Sequence, residues 1–373
     1  MKTNLKFQTA TIALITLVTT AQAQFTAGNL VVLRDGTGSS ALTSAGTAIF
    51  LDQYTTSGTF VNSLAVPSTG ASALVNSGTA GSEGALNLSA NGQYLVIAGY
   101  NAAAGTASIA SSASATVPRG VATVDAGGNY TLAATTSTAL SGNNIRSGTT
   151  DGSGNFWAVG AGAAGSGVMY YNTATTAITN SASSGNNRVI QDIGGNLYFS
   201  TGSGTTRGIY QISGTPTTTG NTAVSLINTS SLGSASPYDF AFNANLTIAY
   251  IADSDAYTTS AGLGGIEKWT YNGTAWVFQY SLPTVGVGAD GLAVDFSAAN
   301  PIIYATSADG TSLFDLTDTG SSSTPSLLDT ASANEAFRGL EFSPTNVPEP
   351  TTLALAGMGL TALWGFARRN RRF

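Results

Sequence analysis

The stretch that decides the fold is residues 239–280, which read DFAFNANLTIAYIADSDAYTTSAGLGGIEKWTYNGTAWVFQY. It contains four short runs rich in β-branched and aromatic residues, with Gly, Asn and Thr between them. These runs lie at 239–242, 248–252, 265–269 and 276–280. Such runs, separated by turn-forming residues, are typical of antiparallel strands. We therefore predict a four-stranded unit here.

The same unit recurs along the chain. Each copy opens with a short phrase that holds one charged residue, and successive phrases lie about 40 to 60 residues apart, the length of a four-stranded propeller blade. The charged residues of the six phrases are Glu83, Arg146, Arg188, Asp239, Asp290 and Arg338. Five of the phrases are followed by a second β-rich run, at 94–98, 156–159, 197–200, 248–252 and 302–305.

The phrase at Arg338 has no strands after it, but the beginning of the chain supplies three. Residues 28–33, 47–51 and 60–64 match the second, third and fourth strands of the unit. One blade built from both termini would close the ring and remove two open sheet edges. We therefore predict an all-β fold, a single six-bladed β-propeller over residues 24–346.

Two other architectures compete with this prediction. A seventh blade could open at Arg119-Gly120-Val121-Ala122, since the first spacing between phrases is long. A right-handed parallel β-helix is the weaker alternative, because its coils are usually shorter than these repeats.

Composition excludes several classes of site. Charged residues are only 9% of the chain, whereas the 42% hydrophobic content is enough to bury a core. The chain has no Cys and no His. A disulfide scaffold, a thiolate metal site, a Ser-His-Asp triad and a histidine zinc site are therefore excluded. We therefore favour a binding protein over an enzyme.

Charge is unevenly distributed between the ends and the body. Lys2 and Lys6 and four arginines in the tail make up six of the 13 basic residues, whereas 18 of the 19 acidic residues lie in the body. The body therefore carries a strong net negative charge. Nucleic acid is not an expected partner, because its binding depends on basic patches.

The first 23 residues have the pattern of a secretory signal peptide. Lys2 and Lys6 precede a short apolar stretch at 10–18, and Ala21-Gln22-Ala23 forms a small-x-small cleavage site. We predict cleavage between Ala23 and Gln24, with the secretion machinery as a partner. The alternative is a buried N-terminal helix.

The other end carries three features in order. Val347-Pro348-Glu349-Pro350 precedes an uncharged apolar run at 351–367, which is close to the minimum length for a membrane-spanning helix. A basic tail follows, consisting of Arg368, Arg369, Arg371 and Arg372. Because basic residues stay on the cytoplasmic side, we expect the body to lie outside.

This tripartite end, 347–373, resembles the PEP-CTERM sorting signal. The resemblance implies that Pro348, Glu349 and Pro350 form the motif recognised by exosortase, a membrane-embedded transpeptidase-like enzyme. It also implies a transmembrane helix that anchors the protein in the inner membrane only until processing, and a final location in the cell envelope or outside the cell. A permanent C-terminal anchor is the alternative.

The six charged phrase residues are the sharpest candidate site. In a propeller the first strand of each blade lines the central channel, so the six side chains would stand around one mouth. One interpretation is a ring of ion pairs that holds the blades in register. The other is a polar ligand site on the axis.

Two weaker candidates remain. Asp253 and Asp255 alternate in a loop in a way that suits Ca²⁺, although calcium needs about six oxygens and a turn stabilised by Asp is the plainer reading. No other cofactor is expected. Trp157, Trp269 and Trp276 could stack on sugar rings, but packing between blades is the simpler role.

These observations favour a non-enzymatic binding or scaffolding module of the extracellular polysaccharide layer. The first rival is a secreted propeller enzyme, a hydrolase or lyase acting on polysaccharide. The second is a purely structural matrix protein without a specific ligand.

Overall fold

A computed structural model describes most of the body of the chain. The described residues are 25–162, 167–171, 178–179 (backbone only), 185–202, 206–233, 235–258 and 263–345. The signal peptide with its cleavage site, and the whole tripartite C-terminal end, lie outside these residues. Within the described ranges no helix has the length and apolar character that crossing a membrane requires.

The described chain forms six four-stranded antiparallel sheets, which we number as blades 1 to 6. Strands are given from the axis outward. Blade 1 consists of Ala336–Phe342, Leu30–Asp35, Ile49–Tyr54 and Phe60–Ala65. Blade 2 consists of Leu86–Leu88, Tyr94–Tyr100, Arg119–Asp125 and Tyr130–Thr136. Blade 3 consists of Ile145–Thr150, Phe156–Gly160, Met169–Tyr171 and Ile178–Thr179.

The other three blades follow in chain order. Blade 4 consists of Asn187–Ile193, Asn196–Thr201, Gly208–Ile212 and Ala223–Asn228. Blade 5 consists of Pro237–Phe242, Ile248–Thr258, Leu263–Tyr271 and Trp276–Leu282. Blade 6 consists of Leu292–Asp295, Ile302–Thr306, Ser312–Thr317 and Ser326–Thr330. A short ribbon pairs Gly46–Thr47 with Asn76–Ser77, and single 3-10 turns cover Ile109–Ser111 and Thr229–Leu232.

The ring closes as the sequence predicts, through a blade shared by both ends of the chain. The innermost strand of blade 1 pairs with Leu30–Asp35, in a register that joins Leu30 to Phe342 and Val32 to Leu340. Each innermost strand contacts the innermost strands of its two neighbours, from blade 1 round to blade 6 and back. The six-bladed propeller is therefore confirmed, and the parallel β-helix is wrong because every sheet is antiparallel.

The seven-blade alternative is also wrong, for a reason that Arg119 makes clear. Arg119 begins the third strand of blade 2 and is fully buried. Its guanidinium donates to the carbonyls of Val117 at 2.6 Å and Ser112 at 2.8 Å, and packs over the Tyr100 ring. The long first spacing is thus filled by a loop between the second and third strands, which this buried cation holds together.

The core lies between the blades. Apolar side chains of neighbouring sheets meet in contiguous clusters, such as the one that joins Val96 and Val121 of blade 2 to Ile145 and Ala158 of blade 3. Burying one such aliphatic side chain contributes about 1.5–3 kcal/mol. The outer strand Phe60–Ala65 alternates exposed and half-buried residues, which marks the rim of the ring.

Candidate functional site

The innermost strands share an irregularity at one end of the ring. Four of them carry a one-residue β-bulge near their first residues, in blades 1, 3, 4 and 5. The bulged segments contain Arg338, Arg146, Arg188 and Tyr238 respectively. A bulge turns a side chain away from its regular direction, and bulges often lie beside functional sites.

Electrostatic interactions show that these side chains converge. Burial raises the pKa of Tyr238, and Asp290 raises it further, whereas Arg146, Arg188 and Arg338 lower it. Burial also lowers the pKa of Arg146, and the charge of Arg188 adds to that effect. We call these five residues (Arg146, Arg188, Tyr238, Asp290 and Arg338) the axial cluster.

Hydrogen bonds tie the axial cluster to neighbouring strands and loops. Arg188 Nη1 donates to Ser254 Oγ at 2.9 Å, and that hydroxyl donates to Asp290 Oδ1 at 2.6 Å. Arg338 Nε donates to the buried Asp35 at 3.0 Å, and Arg146 Nη1 donates to the carboxamide of Asn186. The arginines are therefore held in place from one side.

Some N–H groups of the arginines in the axial cluster have no hydrogen-bond acceptor among the described residues. A guanidinium has five N–H donors. Within the described part of the chain, Arg146 Nε and Arg188 Nε are buried and have no hydrogen-bond acceptor. A Cβ on Gly81 or Gly310 would lie only 3.4 or 3.6 Å from Arg338 Nη1, so glycines keep the space beside that nitrogen open. Three cations thus share a small space with Asp290 and Asp35, and the charge of Glu83 also acts on Arg146, so basic groups are locally concentrated in an acidic protein.

Of the six charged residues predicted to form a ring, the structure places four in the axial cluster and two elsewhere. Arg146, Arg188, Asp290 and Arg338 belong to the axial cluster, but no two of them form a direct ion pair among the described residues. Glu83 instead accepts hydrogen bonds from Tyr100 Oη at 2.6 Å and the Ser77 amide at 2.7 Å. It braces a loop, and burial raises its pKa to about 7.

Asp239 also lies apart from the axial cluster. It is buried and accepts from the Phe240 amide at 2.8 Å, Gln191 Nε2 at 3.2 Å and the Leu292 amide at 3.2 Å. These contacts join blades 4, 5 and 6. Its neighbour Tyr238 takes the place in the cluster, which a search restricted to charged residues could not find.

The two aspartates proposed for calcium are placed differently from each other. Asp253 is fully buried and accepts from the amides of Ser236 and Asp255, both at 2.9 Å, whereas Asp255 is half-buried. Throughout the described ranges, no three Asp, Glu, His or Cys side chains are arranged to hold a metal ion. The hydrogen bond from the Asp255 amide to Asp253 is that of an Asx turn.

The tryptophans pack inside the ring. Trp157 is 1% exposed and donates to the carbonyl of Pro216 at 2.8 Å, and Trp269 is 4% exposed and packs against Phe278 with ring centroids 5.4 Å apart. Trp276 is half-buried against Phe242. Buried rings cannot offer a face to sugar, so packing accounts for Trp157 and Trp269, whereas Trp276 lies on the outermost strand of blade 5 and is partly exposed.

A match to a known protein family lies at the C-terminal end of the chain, which the structure does not describe. Residues 346–372 match the model of the PEP-CTERM protein-sorting motif. The chain carries a PEP-CTERM sorting motif. The motif implies that the chain is exported, processed by exosortase and sorted to the cell surface, and it agrees with the resemblance drawn from Val347 to Pro350 and the arginines after them.

Comparison with solved structures finds similarity across the propeller. A putative 6-phosphogluconolactonase from Bacteroides fragilis is 14% identical, with a TM-score of 0.45, and the match covers 82% of each chain. The periplasmic gluconolactonase of Pseudomonas aeruginosa is 12% identical, with a TM-score of 0.42, over 81% of this chain and 83% of that one. Identities and TM-scores this low do not indicate a shared activity. No curated protein matches the sequence significantly.

Proposed function

We propose that this PEP-CTERM protein is a non-enzymatic binding module of the extracellular polysaccharide layer, and that its axial cluster binds acidic groups of that polysaccharide. The observation that carries the proposal is the convergence of three arginines at one end of the propeller axis, two of which, Arg146 and Arg188, have a buried Nε without an acceptor in the described part of the chain. Arginine is well suited to carboxylate and sulfate groups, because its planar fork can bind two oxygens at once.

The net negative charge of the body restricts where an anionic polysaccharide can bind. An acidic surface repels anionic polymers in general, so binding depends on the few places where basic groups gather. The arginines of the axial cluster supply one such place. The sorting motif supports a location where extracellular polysaccharide would be available.

Retention on immobilised polysaccharides tests the proposal. We expect the mature protein to be retained by acidic polysaccharides and not by neutral ones, and the double variant Arg146→Gln/Arg188→Gln to lose at least tenfold in affinity. Arg207→Gln is the matched control, since Arg207 donates to the carbonyl of Gly233 and lies outside the axial cluster. Equal retention of the double variant and the wild type would make the cluster structural.

The same experiment distinguishes an enzyme that degrades polysaccharide from a binding module. Release of soluble fragments from the retained polysaccharide would favour a hydrolase or lyase, whereas saturable retention without release favours a binding module. Neither retention nor release would favour a purely structural matrix protein.

We further propose that the signal peptide ends at Ala23 and that processing near Pro348–Pro350 removes the apolar run and the basic tail. Mass spectrometry of the protein from its native host measures both ends at once. A mass that includes residues 1–23 or the complete C-terminus would contradict this processing.

A further inference from the structure

Blade 5 contains a pair of buried carboxyl groups, Asp253 and Glu267, at its boundary with blade 4. Glu267 pairs directly with Ile251 on the neighbouring strand, so Asp253, two residues further on, is its diagonal neighbour on the same face. Both side chains are 0% exposed. Carboxyl groups are almost never fully buried without a partner that balances them.

Only half of the oxygens in this pair are satisfied. Asp253 Oδ1 accepts two backbone amides, and Glu267 Oε2 accepts the indole N–H of Trp269 at 2.8 Å. Asp253 Oδ2 and Glu267 Oε1 are buried and have no N–H or O–H donor among the described residues. They can hydrogen-bond to each other only when one of the two carboxyls holds a proton. Burial raises the pKa of both groups.

Two hydroxyl groups beside the pair are unsatisfied as well. Ser281 lies directly opposite Glu267 on the outer strand of blade 5, is 1% exposed, and its Oγ has no partner in the described structure. The Oγ1 of Thr284 is also buried without a partner. Thr284 packs beside Gly265, and Gly265 pairs with Asp253. Four oxygens that lack partners thus gather on one face of one blade.

Such a cluster requires an explanation, because proteins satisfy the great majority of buried polar atoms. A cavity of about 110 Å³ lies alongside, lined by Asp253, Asp255, Ala235 and Gly264 among others, and gives room for ions and water. We propose that the unsatisfied oxygens hold a hard divalent cation, with Ca²⁺ preferred. Calcium accepts carboxylate, hydroxyl and water oxygens in flexible geometry, whereas Mg²⁺ demands a near-ideal octahedron.

The donor set also predicts how tightly the cation binds. Among the described residues, the oxygens without partners come from two carboxyl groups and two hydroxyl groups, and Asp255 lines the adjoining cavity, so water supplies further ligands. Sites of low ligand charge in extracellular modules bind calcium with Kd on the order of 10⁻⁴–10⁻³ M.

The position of the site links it to the axial cluster. Asp253 and Asp255 flank Ser254, whose hydroxyl joins Arg188 to Asp290. A bound cation would fix this segment and, through it, two members of the axial cluster. This consequence rests on the proposed function, whereas the cation site itself does not.

Terbium luminescence is the direct test, because Tb³⁺ occupies calcium sites and is sensitised by a nearby indole. Trp269 contacts Glu267, so we expect excitation of tryptophan to give Tb³⁺ emission that Ca²⁺ competes away. Calcium should also raise the Tm. Glu267→Gln and Ser281→Ala should weaken Ca²⁺ binding at least tenfold, and Asp295→Asn, a surface carboxylate of blade 6, should leave it unchanged.

Two results would overturn the proposal. The first is wild-type protein without sensitised emission and with the same Tm in calcium and in chelator, which would leave a shared proton as the full explanation of the pair. The second is undiminished Ca²⁺ binding by a folded Ser281→Ala variant. Because no polysaccharide is present, these results are independent of the proposed function.

Discussion

Tyr238 and Gly84 are two single residues that shape the axial cluster. Tyr238 lies at the bulge where three other blades place an arginine, and brings a phenol to the axial cluster. Gly84 precedes the innermost strand of blade 2 and contacts Arg338. A Cβ on Gly84 would lie 3.0 Å from Arg338 Cβ and 2.9 Å from Asn76 Nδ2. The absence of a side chain there leaves room for the arginine.

Gly84→Ala should therefore destabilise the propeller and weaken polysaccharide binding. Gly84 has φ +81°, where a Cβ costs roughly 1–2 kcal/mol, and the contact with Arg338 adds to that cost. Gly28→Ala is the matched control, because Gly28 has φ +84° but nothing within 4 Å of the added Cβ. Urea unfolding should give the larger loss for Gly84→Ala. Equal losses, with unchanged binding, would contradict the packing role.

The sequence could predict four members of the axial cluster, but not all of it. Arg146, Arg188, Asp290 and Arg338 stand out because charged residues are rare in this chain. Tyr238 does not stand out, since aromatic residues also fill the cores of strands. Asp239 carries the same signal as the arginines and yet joins blades, because a shift of one residue reverses the side that a strand residue faces. Glu83 carries that signal too, but it lies in the loop before the strand Leu86–Leu88.

At the scale of strands and blades, buried polar contacts fix neighbouring sheets to each other. Asp318 follows the third strand of blade 6 and receives Lys268 Nζ of blade 5 at 2.6 Å. Tyr280 Oη of blade 5 donates to the same carboxylate at 2.9 Å, and Tyr250 Oη donates as well. These contacts hold the pKa of Asp318 below its usual value, although burial opposes them.

Asp318→Ala should cost about 3–5 kcal/mol of unfolding free energy, because it leaves three donors of blade 5 without their acceptor. Lys268→Met should cost less, since Asp318 keeps both tyrosine hydroxyls and the Lys268 side chain is 19% exposed. Chemical denaturation of the two variants measures the difference. A larger loss for Lys268→Met would show that the contacts between the blades are not organised around Asp318.

The strands themselves follow from the sequence because their pattern is local. The units at 239–280 and 302–317 have β-rich runs of the right length between turn residues, and the structure places strands there. The loop around Arg119 could not be predicted in this way. Its packing depends on carbonyls of Ser112 and Asn143 that become acceptors for Arg119 only once the blade has formed.

At the scale of the whole molecule, buried carboxyls should make stability depend on pH. Burial raises the pKa of Glu83 to about 7 and of Asp290 to about 6, and raises that of Asp239 well above its usual value. The folded state thus binds protons more tightly than the unfolded chain does, so stability falls as the pH rises from about 4 through 7. We expect a higher Tm at pH 5 than at pH 8, and a shallower dependence for Glu83→Gln. A Tm that rises over this range would contradict the burial of these groups.

The strand that closes the propeller lies next to the sorting motif in the sequence. The strand Ala336–Phe342 completes blade 1, and the sorting motif begins only a few residues after it. Processing at that motif therefore removes nothing from the ring. The mature protein would keep its closed fold and its axial cluster when it reaches the surface.

The central claim is that this exported propeller binds acidic groups of the surrounding polysaccharide at its axis. The most direct measurement is the affinity of the mature protein for the extracellular polysaccharide of its own host, before and after chemical reduction of the polymer's carboxyl groups to alcohols. We predict at least a tenfold loss on reduction, and no such difference for Arg146→Gln/Arg188→Gln. Equal affinity of the wild-type protein for the native and the reduced polymer would contradict the account.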